Sequence, residues 1–287
     1  MMDVENMISK ENIKYCLYLL GINKGDIVFV HSALSSIGFV DGGAETVIDA
    51  LLESVGDEGT IIMPALTNWD SSFDSLTSPS VVGKISETFR KRKNALRSLH
   101  PVHSVTAIGK NASYIVDNHD KCETGCGIGT PYMKIHELDG KIMLLGVDMD
   151  RNTFIHTIET EINAKYLLTI DIPAPTYLGD WQNKRIELNK FPSGHRDFIS
   201  LTASLRKNNV IIEGMIGNAV VKVMRAQNLF EAGVKLLKND PLHFICNNTN
   251  CNFCYNAREI YSSKKPTNDL INRCCDSNCE ICAIMTN

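Results

Sequence analysis

The sequence predicts an α/β protein with a central mixed, largely parallel sheet flanked by helices, followed by a small cysteine-rich extension. Residues 26–31 are typical of a buried strand, residues 44–55 place apolar side chains at helical spacing, and residues 60–63 predict the next strand. This β-α-β unit predicts a parallel strand pair. A second apolar strand at residues 141–147 precedes another predicted helix, for which Asn152 is the expected N-cap.

Further helices, strands and one long loop are predicted along the rest of the chain. We expect helices over residues 83–92, 197–207 and 219–237, a strand over 105–108, and strands or a hairpin over 176–188. Asn218 is the expected cap of the helix at 219–237. Residues 68–80 lack periodicity, which predicts a long loop of the kind that binds ligands.

Size, charge and hydropathy limit the classes of function. The chain has 287 residues, of which 44% are hydrophobic, and its formal net charge is −4 without basic runs. We therefore expect no nucleic-acid partner, because such binding depends on phosphate neutralisation. No apolar run is long enough to cross a bilayer, and residues 1–6 show no signal region, so we expect a cytoplasmic protein with no membrane partner.

Three polar side chains share one face of the helix that follows the second apolar strand. At about 100° per residue, Thr153, His156 and Glu159 fall within an arc of roughly 120°. Ile155 and Ile158 fall on another face, so we expect the polar stripe to lie outside the core. Ligands bind beside the carboxyl ends of strands in open α/β sheets. A carboxylate three residues after a histidine can orient it as a base. An ordinary polar helix face is the alternative.

A glycine-rich turn follows the first predicted strand. Gly38, Gly42 and Gly43 lie between that strand and the next helix. Small residues let backbone N–H groups approach a phosphate, and the helix N-terminus adds a favourable dipole. The patterns G-x-x-x-x-G-K-[ST] and G-x-G-x-x-G are absent, so a plain turn is the alternative.

Seven of the ten cysteines follow residue 245. This shift in composition divides the chain into a domain at residues 1–245 and a cysteine-rich tail at residues 246–287. Two C-x-x-C pairs predict a structural zinc site with four thiolate ligands. Those ligands are Cys251, Cys254, Cys279 and Cys282. The ligand set stays open because the tail holds three more thiols, and free thiols or an iron–sulfur cluster are the alternatives. The additional thiols are Cys246, Cys274 and Cys275.

Four motifs follow one another between residues 12 and 246. They are His31-Ser-Ala-Leu-Ser-Ser-Ile-Gly38 with Gly42-Gly-Ala44 and Gly59-Thr-Ile-Ile-Met-Pro64, then Arg97-Ser-Leu-His-Pro-Val-His-Ser104, then Asn152-Thr-Phe-Ile-His-Thr-Ile-Glu159, and more weakly Ile216-Gly-Asn-Ala219. In this order they resemble the aminoglycoside 3-N-acetyltransferase family. Ordered blocks are more specific than any single motif.

The resemblance implies an acyl-CoA-dependent N-acyltransferase whose α/β fold is distinct from the GNAT fold. It implies that His156 deprotonates the acceptor amine, that Glu159 orients His156, and that Thr153 lies near the thioester sulfur. The residues expected to bind the acyl-CoA donor are His31, Ser32, Ser35, Ser36, Gly38, Gly43 and Ser104. Backbone N–H groups or the hydroxyls of Thr153 and Ser104 are candidate donors to the oxyanion of the intermediate.

The resemblance further implies a small-molecule amino-sugar acceptor. The residues expected to contact it are Trp69, Asp70, Asp74 and His103. Residues 184–196 are locally basic and favour an anionic, nucleotide-linked amino-deoxysugar, which is the first hypothesis. A solvated basic face explains the same charges equally well. Asp70 and Asp74 favour a polycationic aminoglycoside, which makes an antibiotic-resistance aminoglycoside 3-N-acetyltransferase the second hypothesis.

Other classes of function fit the sequence less well. A serine hydrolase needs the G-x-S-x-G elbow, which is absent, and His100 and His103 lack the acidic partner of an H-E-x-x-H zinc site. A non-catalytic, zinc-dependent interaction protein is a third hypothesis, although the Thr153, His156 and Glu159 set argues against it. We also expect an acetyl or longer acyl group, and a homodimer is a further hypothesis.

Overall fold

The computed structural model describes residues 7–179, 181–192, 194, 196–248 and 250–262. The strands in these residues are β1 (Ile27–Ser32), β2 (Thr60–Pro64), β3 (Leu96–Arg97), β4 (Val105–Gly109), β5 (Lys141–Leu145), β6 (Leu168–Pro173), β7 (Arg185–Phe191), β8 (Ile212–Ile216) and β9 (Ala219–Arg225). The α-helices are α1 (Lys10–Leu19), α2 (Leu34–Ile37), α3 (Gly43–Val55), α4 (Lys84–Arg90), α5 (Ala112–Val116), α6 (Pro131–Glu137), α7 (His156–Glu161), α8 (Ser200–Lys207), α9 (Ala226–Asn239) and α10 (Asn252–Ser262).

Seven strands form one sheet in the order β3-β4-β2-β1-β5-β9-β8. The central strand β1 pairs in parallel with both β2 and β5, and the outer strands pair antiparallel. β6 and β7 form a separate antiparallel hairpin. The predicted α/β fold with a mixed sheet is confirmed, and its parallel pairing is concentrated in the three central strands.

Successive side chains of the buried strands point to opposite faces of the sheet, so an apolar core lies on each face. In β1, Val28 and Val30 join the core that α1 and α3 cover, whereas Phe29 joins the core on the opposite face. Apolar side chains of α6, α7 and α9 complete the second core. The sheet is therefore sandwiched between helices and is buried on both sides.

The predicted helix over residues 219–237 is partly wrong. Residues 219–225 form β9, and the helix α9 begins only at Ala226. Ala219, Val221 and Val223 alternate into the first core, where β-branched side chains suit a pleated strand. Asn218 lies in the turn between β8 and β9, and its backbone N–H donates to Ile37 O at 2.9 Å. It is not a helix cap.

Two other expectations need smaller changes. The predicted hairpin is displaced, because its strands are β6 and β7 while Tyr177 and Trp181 lie in their connection. The helix expected after Asn152 begins with a 3₁₀ turn at Thr153–Ile155 before α7. Asn152 caps this turn as predicted, since its side chain accepts from the Phe154 N–H. No described helix combines the length and apolar character needed to cross a membrane.

The described part of the cysteine-rich extension packs on the preceding domain. Cys251, Phe253 and Cys254 share a small apolar cluster with Tyr166 and Leu167, which lie just before β6. The composition shift near residue 246 marks a change of sequence character. The division into residues 1–245 and 246–287 stays a prediction, since residues 263–287 lie outside the described part of the chain.

Candidate active site

The predicted site residues come from segments that meet at one edge of the sheet. His31 and Ser32 end β1, and the segment carrying Thr153 to Glu159 follows β5, its parallel neighbour. β4 runs antiparallel, with Val105 opposite Pro64 at the end of β2, so His103 precedes β4 at this same edge. The carboxyl ends of the central strands therefore collect residues that lie far apart in sequence.

His156 is bound to Glu159 within α7. The His156 Nδ1 lies 2.6 Å from Oε2 of Glu159, and the glutamate is 0% exposed. A carboxylate accepts, so Nδ1 carries the proton and Nε2 is the nitrogen left for a substrate. The expectation that the whole polar stripe lies outside the core is wrong for Glu159, because its side chain is enclosed by the segment that follows β7.

The enclosing residue is Arg196. Its Nε donates to Oε1 of Glu159, so the two carboxylate oxygens serve two different partners. The guanidinium also lies over the rings of Tyr166, at 4.7 Å from the centroid, and Phe253, at 4.5 Å. Stacking on aromatic faces is typical of arginine and fixes the plane of its guanidinium.

This pairing keeps Glu159 ionised in the interior. Burial raises the pKa of the Glu159 carboxyl, but the charge of Arg196 and the hydrogen bond from His156 outweigh it, so the pKa lies below its ordinary value. An ionised Glu159 stabilises an imidazolium at His156 when that ring accepts a proton. The pair therefore has the electronic arrangement of a general base with an orienting carboxylate.

His31 and Thr153 join the ends of β1 and β5. The His31 Nε2 accepts from the Thr153 backbone N–H at 3.1 Å and lies 2.9 Å from the Thr153 hydroxyl. Burial lowers the pKa of His31 to about 3, so the ring is neutral at pH 7 and its proton resides on Nδ1. Within the described residues, that Nδ1 and the hydroxyl of Ser32 are buried without a hydrogen-bond partner. Two such atoms next to each other at the end of β1 are available to a bound ligand or water.

Comparison with known proteins identifies the family. The aminoglycoside 3-N-acetyltransferase model matches residues 29–238. Aminoglycoside N(3)-acetyltransferase IV of Salmonella sp is 30% identical over 230 residues, which cover 79% of this chain and 86% of the relative. The chain belongs to the aminoglycoside 3-N-acetyltransferase family. It is accordingly an N-acyltransferase.

Other relatives and solved structures agree with this assignment. The aminoglycoside N(3')-acetyltransferase-like protein YokD of Bacillus subtilis is 34% identical over 190 residues, covering 58% of this chain and 70% of YokD. The apoenzyme of aminoglycoside acetyltransferase AAC(3)-IVa has a TM-score of 0.81 at 28% identity, with 88% of this chain and 98% of that chain covered. AAC-IIIb in complex with CoASH has a TM-score of 0.75 at 25% identity, with coverages of 81% and 97%.

In this family member the predicted donor turn is partly helical. Residues 34–37 form the single turn α2, where Ser35 is exposed and the Ser36 hydroxyl donates to Gly146 O at 2.9 Å. Gly38 has a φ of 98°, and Gly43, with a φ of 62°, is the first residue of α3. The turn therefore presents one exposed serine beside the end of β1, and α3 begins at a glycine whose φ is positive.

Ser104 does not match its predicted role in donor binding or oxyanion stabilisation. Its hydroxyl is buried, donates to Ala65 O at 2.7 Å and accepts from Arg97 Nε at 3.1 Å. The only hydroxyl proton is thus committed to the backbone. His103, in contrast, lies close to His156: its ring centroid is 6.1 Å from that of His156 and 5.1 Å from that of Phe191.

The loop expected to bind the acceptor contains one exposed aromatic side chain and two acidic residues with different surroundings. Trp69 is 50% exposed and Asp70 is also exposed. Asp74 instead accepts hydrogen bonds from the Thr77 backbone and hydroxyl and from the Thr176 hydroxyl. These bonds lower the pKa of Asp74 to about 2. Asp74 therefore organises the loop and ties it to the β6–β7 connection.

The locally basic segment at residues 184–196 is largely neutralised. Arg185 pairs with Asp171 at 2.5 Å, Lys190 lies 3.3 Å from Glu123, and Arg196 pairs with Glu159. These contacts remove much of the positive potential that favoured an anionic acceptor. The sequence could not indicate this, because the acidic partners of Lys190 and Arg196 lie far away along the chain.

Two residues that support the site were missed at the sequence level, namely Arg196 as a site residue and Tyr132. Tyr132 is fully buried and donates from its hydroxyl to His103 O at 3.1 Å. It links α6 with the segment before β4. A single aromatic residue in the sequence gives no sign of such a link.

The predicted zinc ligands are only partly within the described residues. Cys251 and Cys254 are buried close to each other, and Cys246 joins them with its sulfur within 4.8 Å of both. Cys279 and Cys282 lie outside the described residues. Cys246, treated as an additional thiol in the sequence pattern, is therefore the third member of the observed cluster.

Proposed function

We propose that this enzyme transfers an acyl group, by default acetyl, from acyl-CoA to the 3-amino group of an aminoglycoside, with His156 as general base. The observation that carries the proposal is the hydrogen bond from His156 Nδ1 to the buried carboxylate of Glu159. It leaves Nε2 for the amine proton and places a compensating charge behind the ring.

The reaction needs a base because an amine attacks only through its lone pair. As the amine nitrogen bonds to the thioester carbonyl carbon, His156 Nε2 takes a proton from that nitrogen, and Glu159 stabilises the resulting imidazolium. The tetrahedral intermediate then expels the CoA thiolate as the C–S bond breaks, and the imidazolium returns its proton to the sulfur. General-base assistance of this kind contributes about 10²–10⁴-fold, and alignment of the two substrates adds to it.

Solved relatives support the choice of donor and acceptor. AAC-IIIb has been solved with CoASH, and a histidine-to-alanine variant of AAC(3)-IVa has been solved with a gentamicin and with apramycin. The buried Ser32 hydroxyl and His31 Nδ1, without partners among the described residues, are compatible with donor binding at the end of β1. Thr153 lies next to His31, where it would contact the thioester or the thiol.

The aminoglycoside hypothesis is favoured over the nucleotide-linked amino-deoxysugar. The relatives named above are described as aminoglycoside acetyltransferases or as similar to them. The basic segment that favoured an anionic acceptor has its charges paired with Asp171, Glu123 and Glu159. Asp70 is an exposed carboxylate in the acceptor loop and suits an ammonium group.

The test is a thiol-release assay with acetyl-CoA against a panel of aminoglycosides and nucleotide-linked amino sugars. We expect CoA release and N-acetylation of an aminoglycoside, detected by mass spectrometry. His156→Asn should lower kcat by about 10²–10⁴-fold while the affinity for acetyl-CoA, measured by calorimetry, is unchanged. Turnover of the nucleotide-linked sugars alone would overturn the acceptor, and full activity of His156→Asn would overturn the base.

The remaining expectations concern the state of the protein in the cell. The homodimer, the cytoplasmic location and the absence of nucleic-acid and membrane partners stay predictions. The non-catalytic interaction protein is disfavoured by the paired His156 and Glu159. Light scattering on the purified protein measures the oligomeric state directly.

A further inference from the structure

Three thiols converge at the start of α10. Each sulfur of Cys246, Cys251 and Cys254 lies within 4.8 Å of the other two, and Cys251 and Cys254 are buried. Cys254 belongs to the first turn of α10, and Arg258 of that helix donates to the backbone oxygens of Ile245 and Cys246 at 2.7 and 2.9 Å. This arginine brings the chain around Cys246 back onto the helix.

The chemistry of the cluster fits a thiophilic cation. A tetrahedral Zn²⁺ with Zn–S bonds of about 2.3 Å places its sulfurs about 3.8 Å apart, so sulfurs within 4.8 Å need only small rotamer changes. Three thiolates favour zinc over magnesium or calcium, which prefer oxygen ligands. They leave one position of a tetrahedral ion for a further ligand.

One of the two residues between Cys251 and Cys254 contacts a residue of the active site. Phe253 lies between Cys251 and Cys254 in sequence, and its ring is 4.5 Å from the guanidinium carbon of Arg196. A Cβ at Gly194 would overlap this ring, so the backbone of the segment carrying Arg196 lies directly against Phe253. Displacement of Phe253 therefore frees one side of the Arg196 guanidinium.

Arg196 carries this contact to the catalytic pair. It is buried, and its Nε donates to Glu159 Oε1, while Oε2 of the same carboxylate receives the hydrogen bond from His156. A rotation of the guanidinium would therefore move or release the carboxylate that orients His156. The path from the thiols to the base has only Phe253, Arg196 and Glu159 in between.

We infer that Cys246, Cys251 and Cys254 bind a zinc ion, and that this ion positions the catalytic pair by fixing Phe253 against Arg196. The second half rests on the proposed function, because it requires His156 to be the base. Phe253 and Arg196 are positioning residues in this scheme, since neither is placed against the substrates. The ion itself is structural and takes no part in the transfer.

Metal analysis of the purified full-length protein tests the first half. We expect one zinc per chain by plasma mass spectrometry, and a cobalt-substituted form should show the sulfur-to-cobalt charge-transfer absorption of a thiolate site. Cys246→Ser should lower the zinc content several-fold, as should Cys251→Ser, whereas Cys16→Ser on α1 should leave it unchanged. Metal-free wild type, a disulfide within the cluster, or full zinc content in Cys246→Ser would overturn the site.

Variants at Phe253 test the second half without disturbing the ligands. Phe253→Leu should keep its zinc and its KM for acyl-CoA but lose about tenfold in kcat, and Phe253→Tyr, which retains an aromatic face, should recover most of the activity. Tyr255→Leu is the matched control, because Tyr255 is on the same helix and is 54% exposed. Unchanged kcat in zinc-loaded Phe253→Leu would overturn the positioning role.

A readout that does not need turnover separates this inference from the proposed function. Nitrogen-15 NMR of the His156 ring reports its tautomer, and we expect the Nδ1–H signal to shift or broaden in Phe253→Leu and after zinc removal. If the wild type binds zinc through Cys246 but acylates no amine, the proposed function fails and the metal site stands. If the wild type is active but the His156 ring signals are the same in Phe253→Leu and after zinc removal, the positioning role fails.

Discussion

Arg196 and Glu159 form an ion pair in the protein interior, although 37 residues separate them in sequence. The arginine side chain is 2% exposed and the glutamate 0%. A buried pair of this kind is held by mutual compensation, so removal of either charge leaves the other unsatisfied.

Glu159→Gln should therefore damage both stability and catalysis. The variant keeps the shape of the side chain but removes the charge that faces Arg196 and the future imidazolium, so we expect the free energy of unfolding to fall by about 3–5 kcal/mol. The value of kcat should fall with it, and KM for acetyl-CoA should change little. Chemical unfolding and steady-state kinetics measure the two effects, with Glu161→Gln, at an exposed position on α7, as the control. Equal stability of the two variants would contradict the ion-pair argument.

Stability should fall as the pH decreases through the acidic range because several buried histidines have lowered pKa values in the folded chain. These are His31, His100, His103 and His119. Burial lowers the pKa of both His31 and His119 to about 3 from an ordinary value of 6.5. Between these values the unfolded chain binds more protons than the folded one, so the free energy of unfolding falls as the pH decreases through this window. The slope is up to about 1.4 kcal/mol per pH unit for each histidine.

Urea unfolding at a series of pH values between 7 and about 4 measures this slope. His119→Gln removes one of these titrations and should make the dependence less steep, whatever its effect on stability at pH 7. An unfolding free energy that stays constant across this range in the wild type would rule out the buried neutral histidines.

Ser32 and Ser104 should respond to replacement by alanine in opposite ways. The Ser32 hydroxyl is buried without a partner among the described residues, so its removal costs no internal hydrogen bond and should raise only KM for acetyl-CoA. Ser104 bonds to Ala65 O and to Arg97, so Ser104→Ala should cost about 1–3 kcal/mol of stability and leave KM unchanged. Thermal unfolding together with KM measurements distinguishes the two serines. A loss of stability in Ser32→Ala with a raised KM in Ser104→Ala would contradict both assignments.

Asp74→Asn should loosen the loop at residues 68–80. The aspartate accepts from Thr77 and Thr176 and holds the loop to the β6–β7 connection, and the charge strengthens each of these bonds. We expect faster limited proteolysis within the loop and a higher KM for the acceptor. Asp70→Asn, in the same loop but exposed, should raise the acceptor KM without changing the rate of proteolysis. Equal cleavage rates in both variants would argue against the anchoring role.

The local part of the site could be predicted from the sequence. His156 and Glu159 are one helical turn apart, so helix geometry alone places them together. The proximity of His31 and Thr153 follows from topology, because carboxyl ends of parallel neighbours meet at one edge of a sheet. These inferences need only the period of a helix and the pairing of two strands.

The rest of the site depends on tertiary packing that no local pattern encodes. Arg196 belongs to a segment whose charges resemble a solvated face, and only the folded chain shows that its guanidinium is buried between Tyr166 and Phe253. Residues 219–225 have apolar side chains at spacings that suit both a helix and a strand. The strand forms because β5 and β8 both offer it backbone partners.

The position of β9 between β5 and β8 has a consequence for synthesis on the ribosome. Until residues 219–225 leave the exit tunnel, one edge of β5 offers unpaired backbone groups beside an almost complete sheet. A nascent chain in that state is a template for strand addition by another chain, so truncation before Ala219 should favour aggregation over folding. β8 and β9 thus complete the sheet, and the edge that carries His31 and His156 acquires a stable scaffold only after both strands have been translated.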